Sequence, residues 1–235
     1  MQADMSGQET IVMSVGGSLI VPGSIDIIFL KQLKDFVDFE TTEKGRRFII
    51  IAGGGRTARN YQDAAAAVSS LTADDLDWMG IHATRLNGHL LRTVFRDSAH
   101  PVMITNPDDI LDVHSREKVI IAAGYRPGSS TDLRAVQIAE KLGAHKVVNL
   151  SNIDYVYTAD PRNNPAAEKI ETISWADFRA LIPAEWDPGL SSPFDPVAAK
   201  IAERDGIEVA IINGTRLEEV EKYLTGEAFI GTKIS

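Results

Sequence analysis

Short apolar runs alternate with segments of helical periodicity along the chain, and this alternation constrains the fold more than any other feature. It predicts strands over residues 10–15, 47–52, 101–105, 118–122, 146–150, 208–212 and 229–234. It predicts helices over residues 24–39, 57–68, 72–95, 131–142, 196–205 and 216–224. Strands that alternate with helices form βαβ units, which build a parallel sheet covered on both faces. We therefore predict an α/β protein, a three-layer αβα sandwich with a mainly parallel sheet.

The composition excludes several classes of protein. There is no cysteine, so disulfides, thiolate metal sites and cysteine nucleophiles are absent. The net charge of −9 argues against binding to duplex nucleic acid through a basic face. The sequence contains no run of about 20 apolar residues, which a membrane span would need. Residues 1–10 lack the pattern of a signal peptide. We expect a soluble cytoplasmic protein, folded as a single domain over residues 1–235.

Small and polar residues follow four of the predicted strands. They are Gly16-Gly17-Ser18, Gly53-Gly54-Gly55, the segment 124–132 (GYRPGSSTD) and Ser151-Asn152. Ligands of such sheets bind at the carboxyl ends of the strands. Glycine loops that open onto helices let backbone N–H groups approach phosphate oxygens. Four such loops in one chain therefore predict a site that handles phosphate groups.

Two standard nucleotide motifs were compared with these loops. The chain has no G-x-x-x-x-G-K-[ST], which excludes a P-loop kinase. Residues 53–58 fit the dinucleotide pattern G-x-G-x-x-A. However, the acid at the expected distance, Asp77, lies in a predicted helix instead of at a strand end, which disfavours a dinucleotide-binding Rossmann fold. Arg56 and Arg59 stand just past the triple glycine, in the first turn of a predicted helix, where cations are unfavourable unless an anion binds there. The histidines show no metal-ligand spacing.

Six segments carry a resemblance to a known family. They are residues 15–19 (VGGSL), 53–61 (GGGRTARNY), 77–91 (DWMGIHATRLNGHLL), 124–132 (GYRPGSSTD), 151–161 (SNIDYVYTADP) and 194–206 (FDPVAAKIAERDG). In this order and spacing they resemble the amino-acid-kinase family, and within it the archaeal-type UMP kinases. The resemblance implies the amino-acid-kinase fold and a phosphotransferase that makes UDP and ADP from UMP and ATP, in pyrimidine nucleotide biosynthesis.

The resemblance also implies the site residues. The implied catalytic group is Gly17, Ser18, Arg59, Asp132, Asp195 and Lys200. The implied UMP-binding group is Gly54, Asp77, Tyr125, Arg126, Pro127, Gly128, Ser129, Ser130 and Thr131. The implied ATP-binding group is Gly16, Gly17, Ser18, Gly55, Arg59, Ser151, Asn152, Tyr157 and Asp160. Mg²⁺ is expected with ATP, bound through the ATP phosphates and not through protein ligands. Residues 10–120 are expected to form the UMP side and residues 121–235 the ATP side.

The sequence departs from the family at two lysines. Ser14 and Asn152 stand where many relatives carry Lys, so another cation, Arg56, Arg59 or Lys200, is expected to neutralise the transferred phosphate. Two alternatives stay open: a phosphotransferase of this fold with a carbamate, acyl or isoprenoid phosphate acceptor, and a non-catalytic binding protein similar to the molybdenum storage protein.

The family resemblance further implies a hexamer built as a trimer of dimers. Its dimer surface is expected on the helices that begin near Ser24 and Thr72.

Overall fold

The computed structural model describes residues 9–113, 117–185 and 192–235 of the chain. The strands are β1 (Thr10–Val15), β2 (Arg47–Ala52), β3 (Val119–Ala122), β4 (Lys146–Ser151), β5 (Val156–Tyr157), β6 (Lys169–Ile170), β7 (Thr172–Ile173), β8 (Glu208–Asn213) and β9 (Thr232–Ile234). The helices are α1 (Gly17–Ile20), α2 (Ile27–Thr42), α3 (Gly55–Ala66), α4 (Ala73–Val94), α5 (Thr131–Leu142), α6 (Trp175–Leu181), α7 (Pro196–Asp205) and α8 (Leu217–Thr225), with a 3₁₀ helix over Pro107–Asp112.

Seven strands form one sheet in the order β3-β2-β1-β4-β8-β9-β7. The five strands from β3 to β8 all run parallel, and β9 pairs antiparallel with β8. The short strands β5 and β6 form a separate antiparallel pair. The prediction of an α/β fold with a mainly parallel sheet is therefore confirmed.

Helices cover both faces of this sheet because its central strands are apolar on both sides. Along β2, Phe48 and Ile50 belong to the apolar cluster on the face covered by α2, α4 and α8, whereas Ile49 and Ile51 belong to the cluster on the face covered by α5, α6 and α7. Every residue of β2 is buried, as expected for a continuous apolar run in a parallel sheet. The result is the predicted sandwich of three layers. None of the helices in the described residues is long and apolar enough to cross a membrane.

Local capping signals fix several helix boundaries. Thr72 and Asp75 form a capping box at the start of α4. The bounds of α5 and α7 agree with the prediction, and each of these helices ends at a left-handed glycine, Gly143 or Gly206.

One predicted strand, residues 101–105, is wrong. This segment makes one isolated bridge to β3, at Ile104, and Ala99 just before the segment makes another. Pro101 has no N–H to donate, and Val102 is exposed to solvent. The segment therefore runs beside the edge strand without extending the sheet.

Candidate functional site

The strand order decides which loops become neighbours at the carboxyl edge of the sheet. Strands β3, β2, β1 and β4 are adjacent and parallel, so the segments that follow them lie side by side in the same order. These segments are residues 124–131, 53–55, 16–18 and 151–160. The two glycine loops therefore lie between the segment 124–131, which we call the acceptor loop, and the segment that follows β4.

The two glycine loops pack backbone against backbone. A Cβ on Gly17 would lie 2.0 Å from the amide nitrogen of Gly55, and a Cβ on Gly53 would lie 2.3 Å from that of Gly17. Gly55 also has a φ of +61°, which disfavours other residues. The glycines are thus required first by this mutual contact, a reason that differs from the predicted approach to phosphate.

Both glycine loops also begin helices whose first amides have no side-chain cap. The N-cap residues are Gly16 for α1 and Gly54 for α3, and neither has a side chain that could accept a hydrogen bond. First-turn N–H groups have no intrahelical partner and carry a partial positive charge. Among these amides, that of Arg56 donates to the carbonyl oxygen of Val21 at 3.0 Å, and the role of the others in binding an anion stays a prediction.

Helix α4 makes hydrogen bonds to the first residues of the acceptor loop. The hydroxyl of Thr84 accepts a hydrogen bond from the amide of Gly124 at 2.8 Å. The guanidinium of Arg85 donates to the carbonyl oxygens of Gly124 at 3.1 Å and Tyr125 at 3.0 Å. The sequence analysis did not identify Thr84 or Arg85. Their position on the predicted helix, two turns beyond Asp77, was the signal that could have found them.

Asp77 and the acceptor loop, which the family resemblance implies for the same pocket, are in direct contact. The Asp77 carboxylate accepts a hydrogen bond from the amide of Gly128 at 2.6 Å. Gly128 has a φ of +79° and open space around the position of a Cβ. The structure therefore brings Asp77 to the tip of the loop, and the binding role of both stays a prediction.

The end of the acceptor loop is fixed by hydroxyl groups. The Ser129 hydroxyl donates to the carbonyl oxygen of Arg126 at 2.8 Å. The Ser130 hydroxyl caps α5 by accepting from the amide of Leu133 at 3.1 Å, and it donates to the Asp195 carboxylate at 2.5 Å. Because α5 begins at Thr131, its N-terminus faces the same loop.

Asp132 lies at the centre of the edge, next to the first strand. Its carboxylate accepts a hydrogen bond from the buried hydroxyl of Ser14 at 3.0 Å. Burial raises the pKa of Asp132 to about 7, the Ser14 hydrogen bond opposes this rise, and the nearby Asp195 adds to it. Ser14 is the residue that stands at one of the two lysine positions named in the sequence analysis, and it gives this carboxylate a hydroxyl as a hydrogen-bond partner.

Asp195 and Lys200 were predicted as catalytic, and their contacts favour other roles. Asp195 is 2% exposed, and it accepts hydrogen bonds from the amides of Val197 and Ala198 and from Ser130. It therefore caps α7 and ties this helix to the acceptor loop. Lys200 is exposed, and its ammonium donates to the carbonyl oxygen of Ala184 at 3.1 Å, which favours a surface role.

Arg59 is one of the cations predicted to neutralise the transferred phosphate. It is exposed on α3, in the second turn of this helix and not in the first turn as predicted. Arg56 is exposed in the first turn. Both guanidinium groups therefore stand on the helix that begins at the second glycine loop, and their contact with phosphate stays a prediction.

A cavity of about 610 Å³ lies against the segment that follows β4. Its lining includes the predicted residues Ser151, Asn152, Tyr157 and Asp160, together with Leu181, Ile182, Ser192 and Pro193, which the sequence analysis did not identify. The volume lies within the usual range of small-molecule and cofactor sites. This end of the edge can therefore accommodate a nucleotide.

Asp160 differs from its predicted role in one respect. Both of its carboxylate oxygens accept hydrogen bonds from the Arg162 guanidinium, at 3.0 and 2.9 Å. The hydrogen bonds from Arg162 lower the pKa of Asp160. A ligand hydroxyl at this position would therefore share the carboxylate with Arg162.

The fold, together with the glycine loops and the cavity at the carboxyl edge of its sheet, defines the class of nucleotide-binding α/β proteins. The amino acid kinase family model matches residues 9–213. The chain is 34% identical to the uridylate kinase of Methanospirillum hungatei, over 96% of this chain and 94% of the relative. It is 36% identical to that of Methanosarcina barkeri, over 96% and 95%. The crystal structure of the Archaeoglobus fulgidus uridylate kinase matches with a TM-score of 0.81 and 28% identity, over 96% of this chain and 99% of that one. The chain belongs to the amino acid kinase family.

Proposed function

We propose that this protein is a UMP kinase, which transfers the γ-phosphoryl group of ATP to UMP and yields UDP and ADP. The observation that carries the proposal is the order of the loops at the sheet edge. The glycine loops lie between the acceptor loop and the cavity that follows β4. Two nucleotides bound at these two ends would direct their phosphates toward the glycine loops from opposite sides. The relatives named uridylate kinases support UMP as the acceptor and disfavour the alternative acceptors and the storage protein.

The residues at the edge suit phosphoryl transfer, which depends on positioning and on charge neutralisation and needs little covalent chemistry from the protein. We assign the acceptor phosphate to the N-terminus of α5, and the transferred group to the amides that follow Gly16 and Gly54. Arg59 would add positive charge from α3. Asp132 would order the groups around the transferred phosphate.

Mg²⁺ fits this site as a companion of ATP. The described residues contain no group of three or more acidic, His or Cys side chains that could hold a metal ion, and the Asp132 carboxylate is the acid that lies next to the glycine loops. We therefore assign the oxygen ligands of Mg²⁺ to the ATP phosphates and to water. When bound, the ion would neutralise charge on the transferred phosphate.

The proposed boundary between the UMP side and the ATP side of the chain differs from the boundary predicted from the sequence. The acceptor side combines α4 with the loop 124–131, so the boundary between the two functions falls after residue 131 and not near residue 120. The ATP side begins with the segment that follows β4. The single domain over residues 1–235 and the cytoplasmic location remain predictions from the sequence.

A hexamer built from dimers is part of the proposal. Large apolar side chains are exposed on two helices, Ile27 and Ile28 on α2 and Trp78 and Leu86 on α4. These are the two helices expected to form the dimer surface, and burial of such groups favours association. Light scattering on the purified protein tests this state, and a monomer at micromolar concentration would contradict it.

A coupled assay of ADP release tests the activity. The enzyme is supplied with ATP, Mg²⁺ and one acceptor at a time from UMP, CMP, dUMP and AMP. We expect UMP to give the highest kcat/KM, and an assay without acceptor serves as the control for ATP hydrolysis. Release of ADP that does not depend on UMP would overturn the proposal.

A further inference from the structure

A buried guanidinium group lies behind the acceptor loop. Arg134, the fourth residue of α5, is 4% exposed. Its Nη2 donates to the hydroxyl of Ser129, and its Nη1 donates to the side-chain oxygen of Gln137 at 2.5 Å. The guanidinium carbon lies 5.3 Å from the centre of the Tyr125 ring. Arg134 thus contacts two residues of the acceptor loop at once.

The charge of Arg134 has no counter-ion in the part of the chain that the structure describes. The charged and ionisable groups that act on it are Arg126 and Tyr125, and no carboxylate is among them. Its Nε is buried without a hydrogen-bond partner among the described residues. Burial and the charge of Arg126 lower the pKa of Arg134 to about 10, so the group stays charged at neutral pH. A buried charge of this kind is unfavourable unless something compensates it.

Two further features make the position unfavourable for a cation. Arg134 lies near the N-terminus of α5, where the helix dipole repels positive charge. Arg126 lies 5.7 Å from the centre of the same Tyr125 ring and adds a second positive charge. An anion bound at the acceptor loop would relieve all three costs together, because it would interact favourably with both guanidinium groups and with the helix N-terminus.

We infer that Arg134 is a positioning residue for the phosphate group of the acceptor nucleotide. It holds Ser129 and Tyr125 in place, and it puts a buried positive charge behind the loop. Ser129 in turn donates to the carbonyl oxygen of Arg126, so one chain of hydrogen bonds fixes the loop from α5 to its outer part. The inference rests on the proposed function, because it takes the acceptor to be a nucleoside monophosphate.

Three variants test this inference. Arg134→Met removes the charge and the planar group while it keeps an apolar stem. Arg134→Lys keeps the charge but loses the fork that reaches both Ser129 and Gln137. Lys141→Met removes one positive charge from the last turn of the same helix, where Lys141 pairs with Asp108 at 2.5 Å, and it serves as the matched control.

We expect Arg134→Met to raise the KM for UMP roughly tenfold or more, while the KM for ATP stays within about twofold. Arg134→Lys should fall between the wild type and Arg134→Met, and Lys141→Met should match the wild type. Calorimetric titration of UMP at low and high salt gives the second measurement. The salt dependence of UMP binding should be smaller in Arg134→Met than in the wild type.

A structural role alone predicts a different result. If Arg134→Met changes both KM values equally, or lowers only the melting temperature, the inference is wrong. Should Arg134→Met fail to fold, Arg134→Lys provides the same comparison of the two KM values, and equal changes there would also overturn it. The wild-type assay separates the two proposals: no turnover of UMP removes the proposed function, whereas wild-type turnover with unchanged UMP affinity in Arg134→Met removes only the inference.

Discussion

The hydroxyl of Ser14 donates a hydrogen bond to the carboxylate of Asp132 at 3.0 Å, across 118 positions of the sequence. Ser14 belongs to the first strand of the sheet and Asp132 to the first turn of α5. The contact joins the acceptor loop's helix to the strand that leads into the first glycine loop. It also favours the ionised form of the Asp132 carboxylate, against the effect of burial.

Removal of the Ser14 hydroxyl should move the pH profile of the enzyme. Because the hydrogen bond lowers the pKa of Asp132, Ser14→Ala should raise this pKa above about 7. If the ionised carboxylate is the active form, the acid limb of kcat against pH then moves to higher pH. Ser98→Ala is a suitable control, since Ser98 lies by the start of β3, at the opposite edge of the sheet. An unchanged limb in Ser14→Ala would show that Asp132 does not set it.

Asp132→Asn should separate catalysis from binding. We expect kcat to fall strongly while the affinity for UMP stays within about threefold, the pattern of an interaction made mainly in the transition state. Calorimetric titration of UMP provides the affinity. Loss of UMP binding with kcat retained at saturation would place Asp132 in the acceptor pocket.

The same variant should be more stable than the wild type at alkaline pH. A folded-state pKa of about 7 lies above the value of the unfolded chain, so the folded protein loses stability as the pH rises from about 4 through 7. Asn has no such titration. The rise of about 3 in this pKa corresponds to up to about 4 kcal/mol at pH 8, so we expect Asp132→Asn to melt up to roughly 8–16 °C higher there, and the gain to vanish near pH 4. Thermal melts at both pH values decide this.

Asp77→Asn should affect the acceptor nucleotide and not ATP. Asp77 contacts Gly128 at the tip of the acceptor loop, and a carboxylate can accept hydrogen bonds from both hydroxyls of a ribose. We expect the KM for UMP to rise more than the KM for ATP in a steady-state assay. Asp74→Asn, an exposed acid in the first turn of the same helix, is the control. A rise in the KM for ATP alone would mean that the two pockets are assigned the wrong way round.

Arg59→Ala should reduce the rate of phosphoryl transfer. If this guanidinium neutralises charge on the transferred phosphate, kcat should fall by about 10²-fold or more. Lys200→Ala should cause a smaller change, because its ammonium is engaged by the Ala184 carbonyl oxygen. A loss of less than about threefold in Arg59→Ala would reject this residue as the catalytic cation.

Gly17→Ala should destabilise the fold. The added Cβ would lie 2.0 Å from the amide nitrogen of Gly55, and the backbone there cannot move without separating the two glycine loops. We expect a loss of about 3 kcal/mol in the free energy of unfolding, measured by urea denaturation. Gly23→Ala is the matched control, because its Cβ would meet no atom within 4 Å. Equal stability of the two variants would contradict the close contact between the loops.

The sequence by itself determined the fold class and most of the elements. Hydrophobic periodicity is local, so the continuous apolar run of β2 and the spacing in α5 were readable from residues within a few positions of one another. The capping box of Thr72 and Asp75 is equally local. Residues 101–105 misled the prediction, because an apolar run beside a sheet does not reveal how many of its backbone groups are paired.

The tertiary structure decided how these parts meet. Only the strand order β3-β2-β1-β4 puts the glycine loops between the acceptor loop and the nucleotide-sized cavity. Spacing along the chain could not show that Gly17 needs to be small because of Gly55, or that Ser14 meets Asp132. Nor could it show that Arg134 is buried behind the acceptor loop without a carboxylate partner among the residues that the structure describes. Each of these depends on contacts between residues far apart in sequence, whose free energy appears only when the sheet assembles.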